Sequence, residues 1–480
     1  MKMKRRDFLK YSIRGVATVV VGSRIIGLKI PEALAAVQTL NITITDAMKE
    51  MATHNAINTA RCYFWIYKMK AGDKDIPAEC PGPNIIIAKG DTVNITIKND
   101  LDEPHAFFIP GIFDSNSIAP GGIPPGQTVS GTINTTNARS GAHLYYDNLN
   151  SPVNRMMGLH GAFIVVPTAG IMGHKLTPYD ISDQTHPVQK LFDDFGSAHF
   201  PGLAWDEGDP TTNTPPSRRY IWLLHQASPN LFAEVGNYTP GQNYPAKRFM
   251  DKFLRDPFSP TNANGIPQYF TINGQSGTFS HFSPHITPMT RVGEPLVVHI
   301  LNAGLWTHSM HLHANHFYVT SVNGVIQEDP LWLDVFNVEP MDMVDYTVPS
   351  HKPPDVPNER GIGLPDTPLT SLNGTPVWPP VEEMAMFIPA PGEDIAKDIN
   401  GNPIDLAQRL SPLCYPMHDH SEPSQTAQGG NYNMGLISGL YFVGDRNTMM
   451  DFPMEDDFKM TYRNIRGVSG TGAAAPPLRE

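Results

Sequence analysis

The chain has 480 residues, 40% of them hydrophobic and 17% charged, which excludes a charge-driven disordered polymer. A net charge of −12 argues against a nucleic-acid or anionic-membrane partner, and three cysteines are too few for a disulfide scaffold. The 40 glycines and 46 prolines favour many short strands joined by turns over long helices.

Residues 1–35 read as a segment set apart from the fold. Lys4-Arg5-Arg6-Asp7-Phe8-Leu9-Lys10 precedes mildly apolar stretches at 16–21 and 25–28, and Ala33-Leu34-Ala35 supplies the small-x-small pattern of a cleavage site. The run resembles a twin-arginine export signal. That resemblance implies a chain that folds before crossing the inner membrane and ends in the periplasm or is otherwise exported. Arg14, Arg24 and Lys29 interrupt any run of the roughly 20 apolar residues a membrane span needs, and no such run follows residue 36. Cleavage after Ala35 removes eight basic and two acidic residues from totals of 35 and 47, leaving a charge of −18.

Strand signals follow at 85–87, 93–97, 163–166, 220–224, 296–301 and 440–443. One segment occurs twice: Gly90-Asp91-Thr92-Val93-Asn94-Ile95-Thr96-Ile97-Lys98-Asn99 is echoed by Gly293-Glu294-Pro295-Leu296-Val297-Val298-His299-Ile300-Leu301-Asn302. In each copy a histidine follows the asparagine by six positions, His105 and His308. Both units also close alike, with Met157-Gly158-Leu159 before 162–166 and Met434-Gly435-Leu436 before 440–443. The repeat predicts two all-β units, 37–168 and 215–446. Residues 169–214 lack strand periodicity and read as a linker, 350–403 as an insertion in the second unit, and 447–480 as a C-terminal tail. Cys62 and Cys80 either pair across a hairpin in an oxidising compartment or remain buried thiols.

The histidines concentrate the chemistry. Of 18, five fall within residues 299–316, four of them in the run His308-Ser-Met-His311-Leu-His313-Ala-Asn-His316. Alternate side chains of a strand share a face, so His311 and His313 point the same way. Met417-His418-Asp419-His420 repeats the arrangement, with a carboxylate on the opposite face. Imidazoles converging from one face suit copper, zinc, iron or nickel. The blander reading is a set of surface or core histidines. No phosphate loop, dinucleotide fingerprint or Gly-x-Ser-x-Gly elbow accompanies them.

His308-x-x-His311-x-His313 resembles the His-x-x-His-x-His motif of multicopper oxidases, and His418-Asp419-His420 resembles their His-Cys-His motif. Cys80-Pro-Gly-Pro-Asn-Ile through Gly90-Asp91, and Gly158-Leu-His-Gly-Ala-Phe-Ile-Val, resemble strands of the family's first domain. The resemblance implies an all-β fold of two cupredoxin-like Greek-key β-sandwich domains. In that family the triple motif gives one ligand to the blue type 1 copper and two to a trinuclear cluster. The outer histidines of His-Cys-His also bind the cluster, and the cysteine binds the blue copper. Carried onto this chain, the resemblance implies copper held among His105, His308, His311, His313, His418 and His420. His105 and His311 would form the type 2 pair, and His313, His418 and His420 would stand at type 3 positions.

The departures matter as much. Asp419 stands where the cysteine is expected and Ser424 where the next histidine is, and without thiolate a blue type 1 site does not form. In the first unit the usual His-x-His becomes His105-Ala-Phe107, and a second one aligns with Tyr146-Asp147-Asn148. Tyr146, Asp147 and His143 are either completing ligands or structural strand residues. His308 and Asp419 form either a second N/O site or a buried hydrogen-bonded pair. His316 and Cys414 are weaker candidates, and Met434 resembles an axial ligand in kind only. The resemblance thus implies an exported copper oxidoreductase with type 2/type 3-like copper and no type 1 copper, oxidising a metal ion or small molecule. It also implies a homotrimer with clusters between subunits, unless the site lies between domains of one chain. The alternatives are a non-catalytic exported scaffold and a copper-binding or tolerance protein without turnover.

Overall fold

The computed structural model of the chain describes residues 18–21, 39–52, 59–167, 177–194, 218–253, 269–281, 283, 286–293, 295–313, 315–350, 413–421 and 435–445. Most of the expected export signal, nearly all of the 350–403 insertion, the 447–480 tail, Ser424 and Met434 lie outside these residues, as does the side chain of Cys414.

The described residues form the all-β pair of cupredoxin-like sandwiches expected from the repeat. In the first, one sheet runs in the order Lys74–Asp75, Thr59–Ala71, Thr39–Ala52, Thr92–Asn99 and Thr128–Asn134. Its partner runs Thr18–Val21, Asn84–Ala88, His160–Val166, Gly141–Tyr146, Phe108–Ile109 and Phe113–Asp114. Thr18–Val21, inside the segment read as an export signal, pairs in parallel with Asn84–Ile87 at the sheet edge. Between the two sheets Tyr67 meets Phe107 edge-on at 5.2 Å, and Phe107 meets Tyr145 at 5.1 Å.

The second sandwich repeats the plan. One sheet is ordered Tyr269–Ile272, Arg218–Ala227, Leu296–Asn302, Met343–Val348, Phe317–Val322 and Val325–Leu333. The other is ordered Met289–Val292, Ile437–Asp445, Leu413–Asp419, His308–Leu312 and Val335–Val338. The repeated segment does the same work in both copies. The Asn99 side-chain amide donates to the Glu103 and Ile123 carbonyls and its oxygen accepts from Leu101 N–H. Asn302 donates to Trp306 and Val338 and accepts from Gly304. Each asparagine thereby staples the loop that delivers the histidine six residues later.

Thr92–Asn99 alternates buried and exposed positions, as expected of a strand with one solvated face, whereas Leu296–Asn302 is buried throughout. The difference has two covers. Leu301 joins Ile221, Leu223 and Ala303 in an apolar layer against Ile86, Ala142, Leu144, Ala162 and Ile164 of the first domain. Val297 lies under the helix Pro187–Asp194, which buries Val188, Leu191 and Phe192 against Tyr179 and Ile181. Part of the segment read as linker therefore packs as an amphipathic helix, with apolar positions spaced by one and by three or four residues. Truncating a fully buried residue of the interdomain layer such as Leu223 costs about 2–5 kcal/mol. No described helix is long and apolar enough to cross a membrane.

Candidate metal centre

The strand His308–Leu312 lies between Leu413–Asp419 and Val335–Val338, and its register places His311 directly opposite His418. Strand alternation sorts the side chains. His308, Met310 and Leu312 are buried on the core face, while Ser309 and His311 are half-buried on the other. On the neighbouring strand Met417 and Asp419 turn inward, and His418 shares the outer face. His313 joins that face by donating its backbone N–H to the Pro416 carbonyl, and the His420 N–H donates to Ser309.

Three imidazoles meet there. Ligand atoms of His311, His313 and His418 all lie within 4.8 Å of one another. The Nε2 atoms of His313 and His418 are 2.9 Å apart. His420, exposed at the rim, has its ring 5.2 Å from that of His311. His311 Nδ1 donates to the Asp334 carbonyl at 2.9 Å, and His418 Nδ1 donates to the Asp419 carbonyl at 2.9 Å. Both rings are thus held in the tautomer that leaves Nε2 as a lone pair, the arrangement of metal-ligating histidines. Burial, together with the neighbouring His313, His311 and His420, holds the His418 pKa below the ordinary imidazole value, although the Asp419 carbonyl opposes the shift. A neutral ring is the ligand form. The His313 and His418 rings are hydrogen-bonded at 2.9 Å, close to the roughly 3 Å that separates two imidazole nitrogens about 2.0–2.1 Å from one ion at the right angle of a tetragonal copper site.

His308 is not part of this group. Its Nδ1 donates to Asp419 Oδ2 at 2.6 Å, and its Nε2 accepts from the Gln226 amide at 2.8 Å, so neither ring nitrogen is open. Asp419 Oδ1 accepts from Ser309 N–H at 2.7 Å and Ser421 N–H at 3.0 Å. Gln226 Oε1 accepts from Leu305 N–H. Gly304 makes room for that amide, since a Cβ there would meet Gln226 Oε1 at 2.3 Å. Of the two arrangements open for His308 and Asp419, the structure holds the buried hydrogen-bonded pair.

His105, expected beside His311, sits elsewhere. It is fully buried in the first domain, with Nδ1 2.7 Å from Asp147 Oδ2 and the Trp65 ring edge-on at 4.9 Å. It is the counterpart of His308, and Asp147 is the counterpart of Asp419. Asp147 Oδ1 accepts from the N–H two residues on, Leu149, as Asp419 does from Ser421. Three residues after His105 comes Phe108, which pairs in register with Tyr146. The Phe108 and Tyr146 rings meet edge-on at 5.4 Å, the same separation as His311 and His418. The first domain therefore carries an aromatic copy of the imidazole pair, and Tyr146 completes that copy instead of the histidine group.

The remaining candidates have other partners. His143 hydrogen-bonds the Arg139 carbonyl at 2.9 Å, and burial, with the nearby Arg139, pushes its pKa down to about 4. His316 stacks on Trp332 with ring centroids 5.3 Å apart. Cys62 and Cys80 are buried free thiols. Sequence reasoning did not find Gln226, Asp334, Asn154 or Glu103, which are distant in sequence or lie in loops whose pattern gives no signal.

Two family models described as multicopper oxidase match the chain, one over residues 75–170 and one over residues 254–353. Among curated proteins no sequence matches. Of solved structures, the chain is similar to the blue copper oxidase from Nitrosomonas europaea, at 14% identity over 84% of this chain and 85% of that one, with a TM-score of 0.48. It is also similar to the multicopper oxidase mgLAC, at 15% identity over 87% of each chain and a TM-score of 0.47. A third is the copper nitrite reductase from Nitrosomonas europaea, at 14% identity over 84% and 94% and a TM-score of 0.42.

Proposed function

Because the chain belongs to the multicopper oxidase family as a divergent member, we propose that it is an exported copper oxidoreductase working with a reduced imidazole centre and no blue copper site. The observation that carries this reading is the convergence of His311, His313 and His418 on one outer face, two of their nitrogens 2.9 Å apart. Bound copper would supply one-electron redox chemistry at this centre.

The chain's own part is positioning. The Asp334 and Asp419 carbonyls orient the His311 and His418 rings, and burial keeps His418 in its neutral form. His311 and His313 are half-buried and His420 is exposed, which gives a metal ion or small molecule direct access to the centre. Direct contact suits a chain in which Asp419 occupies the place of the thiolate that relays electrons in the family. Periplasmic location follows from the resemblance of Lys4–Lys10 to a twin-arginine signal. After removal of residues 1–35 the charge of −18 attracts metal cations. The homotrimer implied by the resemblance is part of this reading.

A second reading, copper binding without turnover, is favoured by the closed Gln226–His308–Asp419 network, which offers no route for electrons through a second metal. Assays of the copper-loaded full chain with phenolic dyes, ferrous and manganous ions, and nitrite separate the two. Turnover of one of these, abolished by His311→Ala, is the expected result. Copper bound without any turnover selects the second reading, and absence of copper defeats both.

A further inference from the structure

The two domains repeat one buried device, and the copies differ most at the far ring nitrogen. In the second domain His308 has a carboxylate on Nδ1 and the Gln226 amide on Nε2. In the first, His105 has the Asp147 carboxylate on Nδ1, with Asn154 donating to the same Asp147 oxygen at 3.0 Å. No amide caps its Nε2, which is buried and without a hydrogen-bond partner. The Glu103 carboxyl lies beside that nitrogen, with Oε1 4.0 Å away on a side chain 8% exposed, and burial together with a hydrogen bond to Asp102 pushes its pKa up to about 8.

Open Nε2 on a ring whose Nδ1 donates to a carboxylate is how proteins present histidine to a metal. The 4.0 Å gap is too long for a hydrogen bond, and a shift of about 0.6 Å would bring the two atoms to the roughly 3.4 Å that separates two ligands held about 2.0–2.2 Å from one tetrahedral ion. The frame is fixed from both sides. His105 exchanges backbone hydrogen bonds with Ile123 at 3.2 and 2.8 Å, and Asn99 holds the Glu103 carbonyl at 2.7 Å.

We propose that His105 Nε2 and Glu103 form a second transition-metal site, inside the first domain and separate from the His311 group. Its donors are one imidazole and one carboxylate, with water completing the shell, which suits a borderline divalent cation such as zinc or cupric ion. Asp147 is its orienting residue. The site does not depend on the proposed oxidoreductase activity, because none of its residues belongs to the outer cluster.

Zinc serves as the probe, in the full chain carrying His311→Ala and His418→Ala so that the outer group is removed. After dialysis against zinc, this variant should retain about one zinc per chain. Adding Glu103→Gln should weaken zinc binding at least about 10-fold, and adding Asp147→Asn instead should weaken it by about 10- to 100-fold. X-ray absorption of the zinc-loaded double variant, which needs no change in the first domain, should show one imidazole and otherwise oxygen ligands. No zinc retained by the folded double variant, unchanged affinity in Glu103→Gln, or a shell of two or more imidazoles would overturn the proposal.

Discussion

His311 and His418 are direct cross-strand partners with ring centroids 5.4 Å apart, and they stand on the face of their sheet opposite the buried His308–Asp419 pair. The same two strands thus carry two chemistries. The outer face gathers imidazoles within ligating distance of one another, and the inner face closes the His308 and Asp419 polar atoms with protein partners.

Removal of either outer imidazole should therefore empty the centre as a whole. His311→Ala and His418→Ala are each expected to lower retained copper by about one ion per chain, and the double variant should lose no more metal than either single one. Copper per chain after gel filtration checks this, and independent partial losses would contradict a shared site. Because His311 is half-buried, metal-free His311→Ala should unfold within about 0.5 kcal/mol of the parent chain.

The inner pair should behave in the opposite way. Asp419→Ala leaves His308 and two backbone N–H groups without their acceptor in a fully buried setting. A loss of about 3–5 kcal/mol in urea unfolding is expected. His308→Gln, in contrast, should leave copper per chain unchanged, since both ring nitrogens already have protein partners.

Gly304 gives a finer test of that network. Its substitution by alanine would drive a methyl group into the Gln226 amide and lift the cap from His308 Nε2. Gly304→Ala should cost about 1–3 kcal/mol, the range for a buried polar group losing its partner. The cost should shrink when measured in a His308→Phe background, and an equal cost in both backgrounds would point to simple overpacking.

Acid should weaken the fold before it touches most carboxylates. Burial pushes His143 down to about 4 and His160 to about 3, and holds His225 well below 6.5. Unfolded, these rings take up protons as pH falls through 6.5, whereas the folded chain resists protonation until lower pH. Their contribution is complete above pH 6.5 and is lost progressively on acidification, on the order of 3 kcal/mol for His143 between pH 6.5 and 4. Urea midpoints at pH 7.5, 6 and 4.5 should fall in that order, and a midpoint flat across this range would contradict the burial of these rings as neutral groups.

Much of this architecture was legible from the chain alone. The Gly90–Asn99 and Gly293–Asn302 echo marks two sandwiches because each asparagine staples the loop behind its strand. Strand parity alone put His311, His313, His418 and His420 on one face and Asp419 on the other. The position of His105 was not legible in the same way. Motif matching set it beside His311, whereas the repeat pairs it with His308, and only the register of Phe108 against Tyr146 decides between the two. The Gln226 cap was equally hidden, since it lies 82 residues from His308 and nothing in its own strand marks it.

The most direct test is the metal content and absorption spectrum of the full exported chain, purified after copper loading, beside its His311→Ala/His418→Ala variant. Retained copper without an intense blue thiolate band, with about one ion fewer per chain in the variant, is the predicted result. A chain that retains no copper, or retains the same amount when both outer histidines are gone, would contradict the assignment of the His311–His313–His418 group as its copper centre.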